Sequence, residues 1–548
     1  MKIRIGTRGS DLALWQAHHI QSLLQRAGAK VDILVLKTKG DLIDNVPLSK
    51  VEGKAFFTAE IERALLDHEV DVAVHSHKDL PTEMTPGLVI AAVPPRATHN
   101  ERLLVHPDAH DPHAPFLPLK RGARVGTSAP RRLELLKTLR PDLQVLDLRG
   151  NVPTRVRKAR EGAYDAVVLA AAGLDRLQLS TEGLVAVDLA LDTFVPAPAQ
   201  GALAIQVRAD DRAVYELCRA CLHDAATEQA IAAERSLLVG AGGGCSLPLA
   251  AAVLPEGTHS FVAHGFLGAG HPVGTTHARW VAARGTTPAE AMKVVLDELV
   301  AGRATRTGPL RGLKVALAGS AQDGSQLGER LAALGADVRT ERVIELEPLA
   351  GVDLDGFLSR ARSGDVIAVT SRQAAHMLAG RKVAAGVRFA AVGRSSAREL
   401  ASGGFEVAWT GESGARELAG RIEVAQGGRV HWPCAQDALP DLADALATRG
   451  ITLERLPIYR TGVVRAVQLE RDIDVRVYMS PSAVEAALAW ERAHPGRTTV
   501  RFALGSTTAA ALKSASLEAV QPACADTPIT EELVAGLHRL VHSTVPQR

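Results

Sequence analysis

The stretch KIRIGTRGSDLALWQAHHIQSLLQRAGAKVDILVLKT, residues 2–38, decides the fold. Its start alternates Ile3 and Ile5 with polar residues, as a strand does. A turn follows, carrying Thr7, Arg8 and Ser10. Leu12, Trp15, Leu23 and Ala27 then recur at helical spacing, and Ser10 stands where an N-cap belongs. VDILVLKT, rich in β-branched residues, is a second strand. A strand, a helix and a strand in this order predict an α/β chain with a mainly parallel sheet.

The same design recurs further along. TAEIERALLDHE and VDVAVH read as helix and strand. A second α/β block begins near Arg102 and runs through ARVGTS, QVLDLRG and YDAVVLAAAG. FVPAPAQGALAIQVR is a Pro-rich return. A third block starts near Arg212, opens with helices, and looks α+β. Residues 300–312, VAGRATRTGPLRG, read as an exposed linker. Beyond them the chain repeats itself. AAVGRSSAREL (390–400) matches FALGSTTAAAL (502–512), and VIAVTSRQAA (366–375) matches VRVYMSPSAV (475–484). LAALGADV and LATRGITL also correspond. Two similar lobes with a cleft between them are expected. The boundaries read from this pattern are 1–98 with 197–211, 99–196 and 212–300 in the first half. A linker at 301–312 follows, then 313–346 with 466–548, and 347–465, in the second.

Composition excludes several classes. The chain has 548 residues, with 63 basic and 61 acidic side chains and a net charge of +2. That balance speaks against bulk nucleic-acid binding. Aromatic residues at 3% leave little for base stacking. The five cysteines make no disulfide framework. Cys218 and Cys221 form a CxxC within a helical pattern and have no second pair. The N-terminus does not read as a signal peptide, and no apolar run reaches membrane-spanning length. A cytoplasmic protein without membrane or nucleic-acid partners is expected, and a monomer.

Three turns in the first half end a strand, carry arginine or hydroxyl groups, and start a helix. They are IGTRGSD (Arg8, Ser10), VGTSAPRR (Thr127, Ser128, Arg131, Arg132) and LRGNVPTRVRK (Arg149, Arg155). Helix N-termini offer free N–H groups, and arginine adds bidentate recognition. Together they point to a cleft for a polyanionic small molecule. VEGKAFF adds Lys54. VAVHSHKDLP (72–81) places Ser76, Lys78 and Asp79 after a strand, where α/β folds put their ligands. Its HxH pair has no third ligand at metal spacing. GAGGGCSLP (240–248) holds Cys245 in a glycine loop: a flexible loop with an incidental thiol, or a nucleophile or attachment point.

HSHKDLP, GTRGSDLALWQA, VGTSAPRR, LRGNVPTR, LAAAGLDRL, PAQGALAIQ and GGGCSLPL closely resemble porphobilinogen deaminase (hydroxymethylbilane synthase), over about residues 1–300. The resemblance implies two periplasmic-binding-protein-like α/β domains and a small α+β domain. It implies a dipyrromethane cofactor bound covalently through Cys245. It also implies head-to-tail joining of four porphobilinogens, each losing ammonia, to give hydroxymethylbilane. Asp79 matches the carboxylate that stabilises the azafulvenium cation, with Lys78 beside it. Lys54, Ser76, Asp79, Thr127, Ser128, Arg131, Arg132 and Arg155 match cofactor contacts. Arg8, Ser10, Arg149, Arg155, Arg176 and Gln200 match substrate contacts. Ala129, Ala55 and the third glycine before Cys245 depart from the common pattern.

Residues 313–545 are similar to uroporphyrinogen-III synthase, through VTSRQAA, AAVGRSSA, PIYRTG, MSPSAVEA, FALGSTTAAAL and DTPITEELVAGL. That resemblance implies two Rossmann-like lobes and cofactor-free closure of hydroxymethylbilane with ring D inverted. Tyr459 would assist departure of the hydroxyl. Ser371, Ser480, Ser482, Thr507 and Thr508 would bind substrate; the alternative for each is helix capping. VALAGSAQDG lacks the Arg-Pro common there. The expectation is a bifunctional enzyme of tetrapyrrole synthesis. The alternatives are a deaminase with a non-catalytic second half, or a non-enzymatic anion-binding protein.

Overall fold

The computed structural model describes residues 1–36, 58–242, 247–269, 278–301, 307–321, 325–411, 414–465, 467–494, 499–504, 506–515 and 529–544. They fall into two compact units. One is Met1–Leu313 with Glu329–Asp337 and Leu537–Arg548; the other is Lys314–Gly328 with Val338–Gly536. The chain is a mixed α/β protein with five sheets among the described residues.

In the first unit, Lys2–Arg8 pairs in parallel with Lys30–Leu36 and Val72–Ser76. The helix Asp11–Arg26 crosses between them, and Ser10 caps it by accepting from the Ala13 N–H at 3.4 Å. Ile3, Ile5, Ile20, Leu24, Val72 and Val74 share one core. A second five-stranded sheet contains Arg124–Gly126, Gln144–Leu146 and Ala166–Ala170, all parallel. Each sheet is mainly parallel, as the sequence had suggested: four of its five strands run one way and a single strand runs against them. Leu203–Arg208 runs antiparallel to both its neighbours in the first sheet, and Glu101–Val105 does so in the second. These are the strands entered directly after the chain passes from one sheet to the other. Each therefore starts beside the carboxyl ends of the parallel strands and runs away from them. That end is where ligands bind in open α/β sheets.

The two crossing segments touch at Gly201. Its φ is +83°, and a Cβ there would sit 2.6 Å from the Thr98 carbonyl oxygen and 2.7 Å from that of Ala97. Gly201→Ala combines left-handed strain with two backbone clashes. It is expected to lower stability by about 2 kcal/mol, read as a shift in the urea midpoint.

The third sheet is antiparallel, with Leu249–Pro255, Phe261–Leu267 and Arg279–Gly285, packed on the helices Ala225–Gly240 and Pro288–Ala301. The helix Arg212–Leu222, expected to open this block, packs on the first sheet instead. Its stripe of Val214, Cys218 and Leu222 at i, i+4 and i+8 completes that core. Burial pushes the Cys218 thiol up to about 12, so this CxxC is packing rather than chemistry. The expected exposed linker is only partly exposed. Leu310 is fully buried, and Thr307 donates to the Trp280 carbonyl at 2.7 Å.

The second unit contains the repeat as two sheets. Their strand orders are Asp337–Arg342, Lys314–Gly319, Val475–Tyr478, Val500–Ala503, and Thr452–Val463, Arg429–Ala435, Val366–Val369, Arg388–Val392. The matched sequence segments occupy corresponding positions in the two. The second sheet gains Ile344–Pro348 and Val407–Gly411 at its edges. Ile344–Pro348 spans the expected boundary at 346 and pairs with Thr452–Val463.

Candidate active site

The carboxyl ends of the parallel strands in the first unit surround a cavity of about 110 Å³. Ser76, Lys78, Arg132, Arg155 and Arg176 line it, with Gly173 leaving room on one wall. Ser76 ends its strand and accepts from the Gln16 amide at 2.9 Å. The chain then tightens into a short 3-10 turn, His77–Asp79. Asp79 is exposed, and its carboxylate makes no hydrogen bond or ion pair among the described residues. It does not line the 110 Å³ cavity itself, but follows Lys78, which does.

Lys78 donates to Gln200 Oε1 at 3.2 Å. Burial pushes its ammonium down to about 8; Asp79 opposes that shift and Arg132 adds to it. Gln200 is fully buried and donates to the His99 and Asn100 carbonyls, so it braces the crossing segments as well as Lys78. Arg176 lies over the Trp15 ring at 5.6 Å and donates to the Gly201 carbonyl at 2.7 Å. Arg155 donates to the Gly150 carbonyl at 2.7 Å. Burial holds both guanidiniums down at about 10, with Arg132 and Arg149 adding to the effect at Arg155. Lys78, Arg155 and Arg176 make no ion pair among the described residues, while the nearby carboxylates of Glu101 and Asp147 are taken by Arg131, Arg132 and Arg149. Three desolvated cations facing one cavity are costly without an anion to meet them.

Four expected contacts have other duties here. Arg131 and Arg132 are nearly buried and share one carboxylate, Glu101, which is fully buried. Arg131 donates to it at 2.6 Å, and Arg132 at 3.0 and 2.7 Å. Their other donors reach the Val195 and Val168 carbonyls, so only Arg132 still borders the cavity. The two arginines hold Glu101 at about 2 against the effect of its burial. Thr127 is buried and accepts from the Ala129 N–H, and Ser128 donates to the Leu148 carbonyl. Both hydroxyls fasten the turn before the helix Pro130–Leu139, which has no side-chain cap of its own. Arg149 pairs with Asp147 at 3.4 Å, Arg8 is half-buried, and Ser10 is the cap described above. Lys54 and Cys245 lie outside the described residues.

Sequence reading missed Glu101, and also Arg96, Glu234 and Arg235. Glu234, on the helix Ala225–Gly240, is 0% exposed. It receives Arg96 at 2.7 and 2.9 Å, the Ala199 N–H at 2.7 Å and the Val253 N–H at 2.9 Å. One carboxylate thus fixes both crossing segments and the third sheet.

In the second unit, Ser371 caps the helix Arg372–Leu378 by accepting from the Ala374 N–H at 3.1 Å. The buried Tyr459 donates to the same Ser371 Oγ at 2.9 Å. Ser480 caps the helix Pro481–Ala493 in the same way at 3.2 Å, and Ser482 is half-buried in its first turn. Thr507 is exposed near the start of the helix Ser506–Ser514. Thr508 is not available to a ligand: it is 1% exposed and donates to the Leu504 carbonyl four residues back.

A cavity lined by desolvated cations at the carboxyl ends of α/β strands, with the exposed Asp79 next in the chain to Lys78, marks an α/β protein built to hold a small anion. Residues 3–216 match the family model for "Porphobilinogen deaminase, dipyromethane cofactor binding domain", and residues 325–535 match "Uroporphyrinogen-III synthase HemD". A porphobilinogen deaminase of Nitratidesulfovibrio vulgaris is 46% identical over 269 residues, 48% of this chain and 82% of that protein. One of Syntrophotalea carbinolica is 48% identical over 263 residues, 47% of this chain and 81% of that protein. A solved uroporphyrinogen III synthase of Thermus thermophilus is 20% identical, covering 42% of this chain and 100% of that one, at a TM-score of 0.30. The chain belongs to the porphobilinogen deaminase family. With its second half it joins two enzymes of tetrapyrrole biosynthesis in one polypeptide, and its first domain takes a dipyrromethane cofactor. No helix among the described residues is long and apolar enough to cross a membrane.

Proposed function

We propose that the first unit joins four porphobilinogens into hydroxymethylbilane on a dipyrromethane held by Cys245, and that the second closes the product to uroporphyrinogen III. The observation that carries this reading is the set of three cations without ion pairs, Lys78, Arg155 and Arg176, on one cavity beside the open carboxylate of Asp79. Each pyrrole of the cofactor and of the growing chain bears an acetate and a propionate, so this donor set fits. Arg132, Arg149 and Arg8 extend the positive wall. When bound, the dipyrromethane supplies the pyrrole carbon to which substrate is joined.

The C–N bond of the substrate's protonated aminomethyl group breaks, and ammonia leaves with the electron pair. The positive charge left spreads over the substrate's pyrrole. Asp79, free of protein partners, accepts from that ring's N–H and offsets the charge. Lys78 binds a ring carboxylate while Gln200 fixes its position. The domains are proposed as read from the sequence, except that the helix Arg212–Leu222 joins the first domain and the strand Ile344–Pro348 belongs wholly with residues 347–465. The first half is two periplasmic-binding-protein-like domains with a smaller α+β one, in a cytoplasmic monomer. In the second unit, Tyr459 assists loss of the terminal hydroxyl from hydroxymethylbilane, with Ser371 orienting it. The helix N-termini at Ser371, Ser480, Ser482 and Thr507 meet the substrate's carboxylates.

Intact-protein mass tests the first half. An adduct equal to two linked pyrroles, lost in Cys245→Ser, is expected; an unmodified wild-type chain would refute the reading. A pH profile tests Lys78. Its ammonium titrates near 8, so the cationic form is full at pH 6 and falls as pH rises. KM for porphobilinogen is expected to rise severalfold between pH 7 and 9, while Lys78→Met shows a high KM with no such rise. An identical profile in both proteins would remove Lys78 from binding.

A further inference from the structure

Arg235 lies on the helix Ala225–Gly240, beside Glu234 and far in sequence from the strand that leads to Asp79. Its guanidinium donates to three carbonyls of the turn that follows that strand: His77 at 3.4 Å, Leu80 at 3.2 Å and Pro81 at 2.5 Å. These oxygens bracket Asp79. The turn's other ties to the fold are the His77 N–H, which donates to the Ala202 carbonyl at 3.0 Å, and the Lys78 bond to Gln200. His77–Asp79 is a single 3-10 turn, the Ser76 hydroxyl accepts from Gln16 and does not cap it, and its internal bond, Leu80 N–H to His77 oxygen, is 3.3 Å long. A planar guanidinium reaching three carbonyls from outside fixes such a turn better than the turn fixes itself. The helix that carries it cannot drift, because Glu234 pins it to both crossing segments. Cys245 follows five residues after the helix ends.

We infer that Arg235 is a positioning residue for the deaminase reaction, holding the Asp79 turn in register with the helix that leads to Cys245. The inference rests on the roles given above to Asp79 and Cys245. One helix then bears on both ends of the reaction: the tether of the primer and the carboxylate that meets the substrate. Arg235 touches neither substrate nor cofactor in this role; it acts through the backbone that carries Asp79.

A double-mutant cycle in the full chain separates positioning from general stabilisation. Arg235→Leu and Arg235→Lys are each made alone and with Asp79→Asn. Ammonia release, thermal midpoint and the pyrrole adduct by intact mass are read for every protein. The single Arg235→Leu variant is expected to keep its fold and its adduct. Its kcat should fall about tenfold or more with KM within twofold. Lysine, a single-point donor, should restore only part of that loss. With Asp79→Asn in place, the further loss on changing Arg235 should shrink to less than twofold, because there is no carboxylate left to position. Equal losses in both backgrounds, or unfolding of both Arg235 variants, would overturn the inference by making Arg235 a purely structural residue. A missing adduct in the wild-type chain would instead count against the proposed function.

Discussion

Asp79→Asn is expected to cut the rate of ammonia release by about 100- to 1000-fold, the scale of losing a group aimed at charge developing in a transition state. Size is conserved and the side chain is exposed without ion pairs. Nothing in the fold therefore depends on its charge, and the melting curve should coincide with that of the wild type. The loss should appear in kcat, since the charge that Asp79 meets develops only as the C–N bond breaks. Asp79 also supports the Lys78 ammonium, so KM is to be compared at pH 6, where that ammonium is full and KM should change little. Turnover within threefold of the wild type would show that the open carboxylate is a surface charge without a catalytic role.

The largest effect on stability is expected at Glu234. Its carboxylate is fully buried and meets Arg96 and two backbone N–H groups. Glu234→Leu leaves the Arg96 guanidinium nearly buried without a counter-charge. It should cost about 3–5 kcal/mol. The double variant Arg96→Met with Glu234→Leu removes both charges and should recover much of that loss. Urea denaturation followed by limited proteolysis of the first unit reads both. Cleavage is expected first near the crossing segments. A Glu234→Leu midpoint equal to the wild type's would mean that these segments are held by other contacts.

Local features were legible in the sequence because their causes are local. Ser10 sits one residue before a helical apolar pattern, and it caps that helix. The duplicated segments of the second half announced two matching sheets, since glycine and hydroxyl positions coincided along with the apolar ones. Features set by distant partners were not legible. The directions of Glu101–Val105 and Leu203–Arg208 follow from where the chain crosses between sheets. The helix Arg212–Leu222 carries an apolar stripe whose partner no local signal names. Glu101 stands beside Arg102 and looks like half of an ordinary surface pair, yet its partners lie some thirty residues on. One signal could have found it. The helix Pro130–Leu139 begins with two arginines and has no acidic residue in its first turn. Cations are disfavoured at that end, so a carboxylate from elsewhere was required. That signal stood beside the reading of both arginines as cofactor contacts, and Arg132 borders the cavity while it pairs with Glu101. Arg235 had no such signal, because backbone carbonyls of a turn leave no trace in composition.

The central claim is that one chain carries two consecutive reactions. The direct measurement is to supply the full-length protein with porphobilinogen alone and separate the uroporphyrinogen isomers formed. Hydroxymethylbilane left to itself closes without inverting ring D and gives the type I isomer. The account predicts predominantly the type III isomer from the wild-type chain, and type I from the same chain carrying Tyr459→Phe together with Ser371→Ala. Type I alone from the wild-type protein would contradict it, leaving a deaminase joined to a second half that does not catalyse.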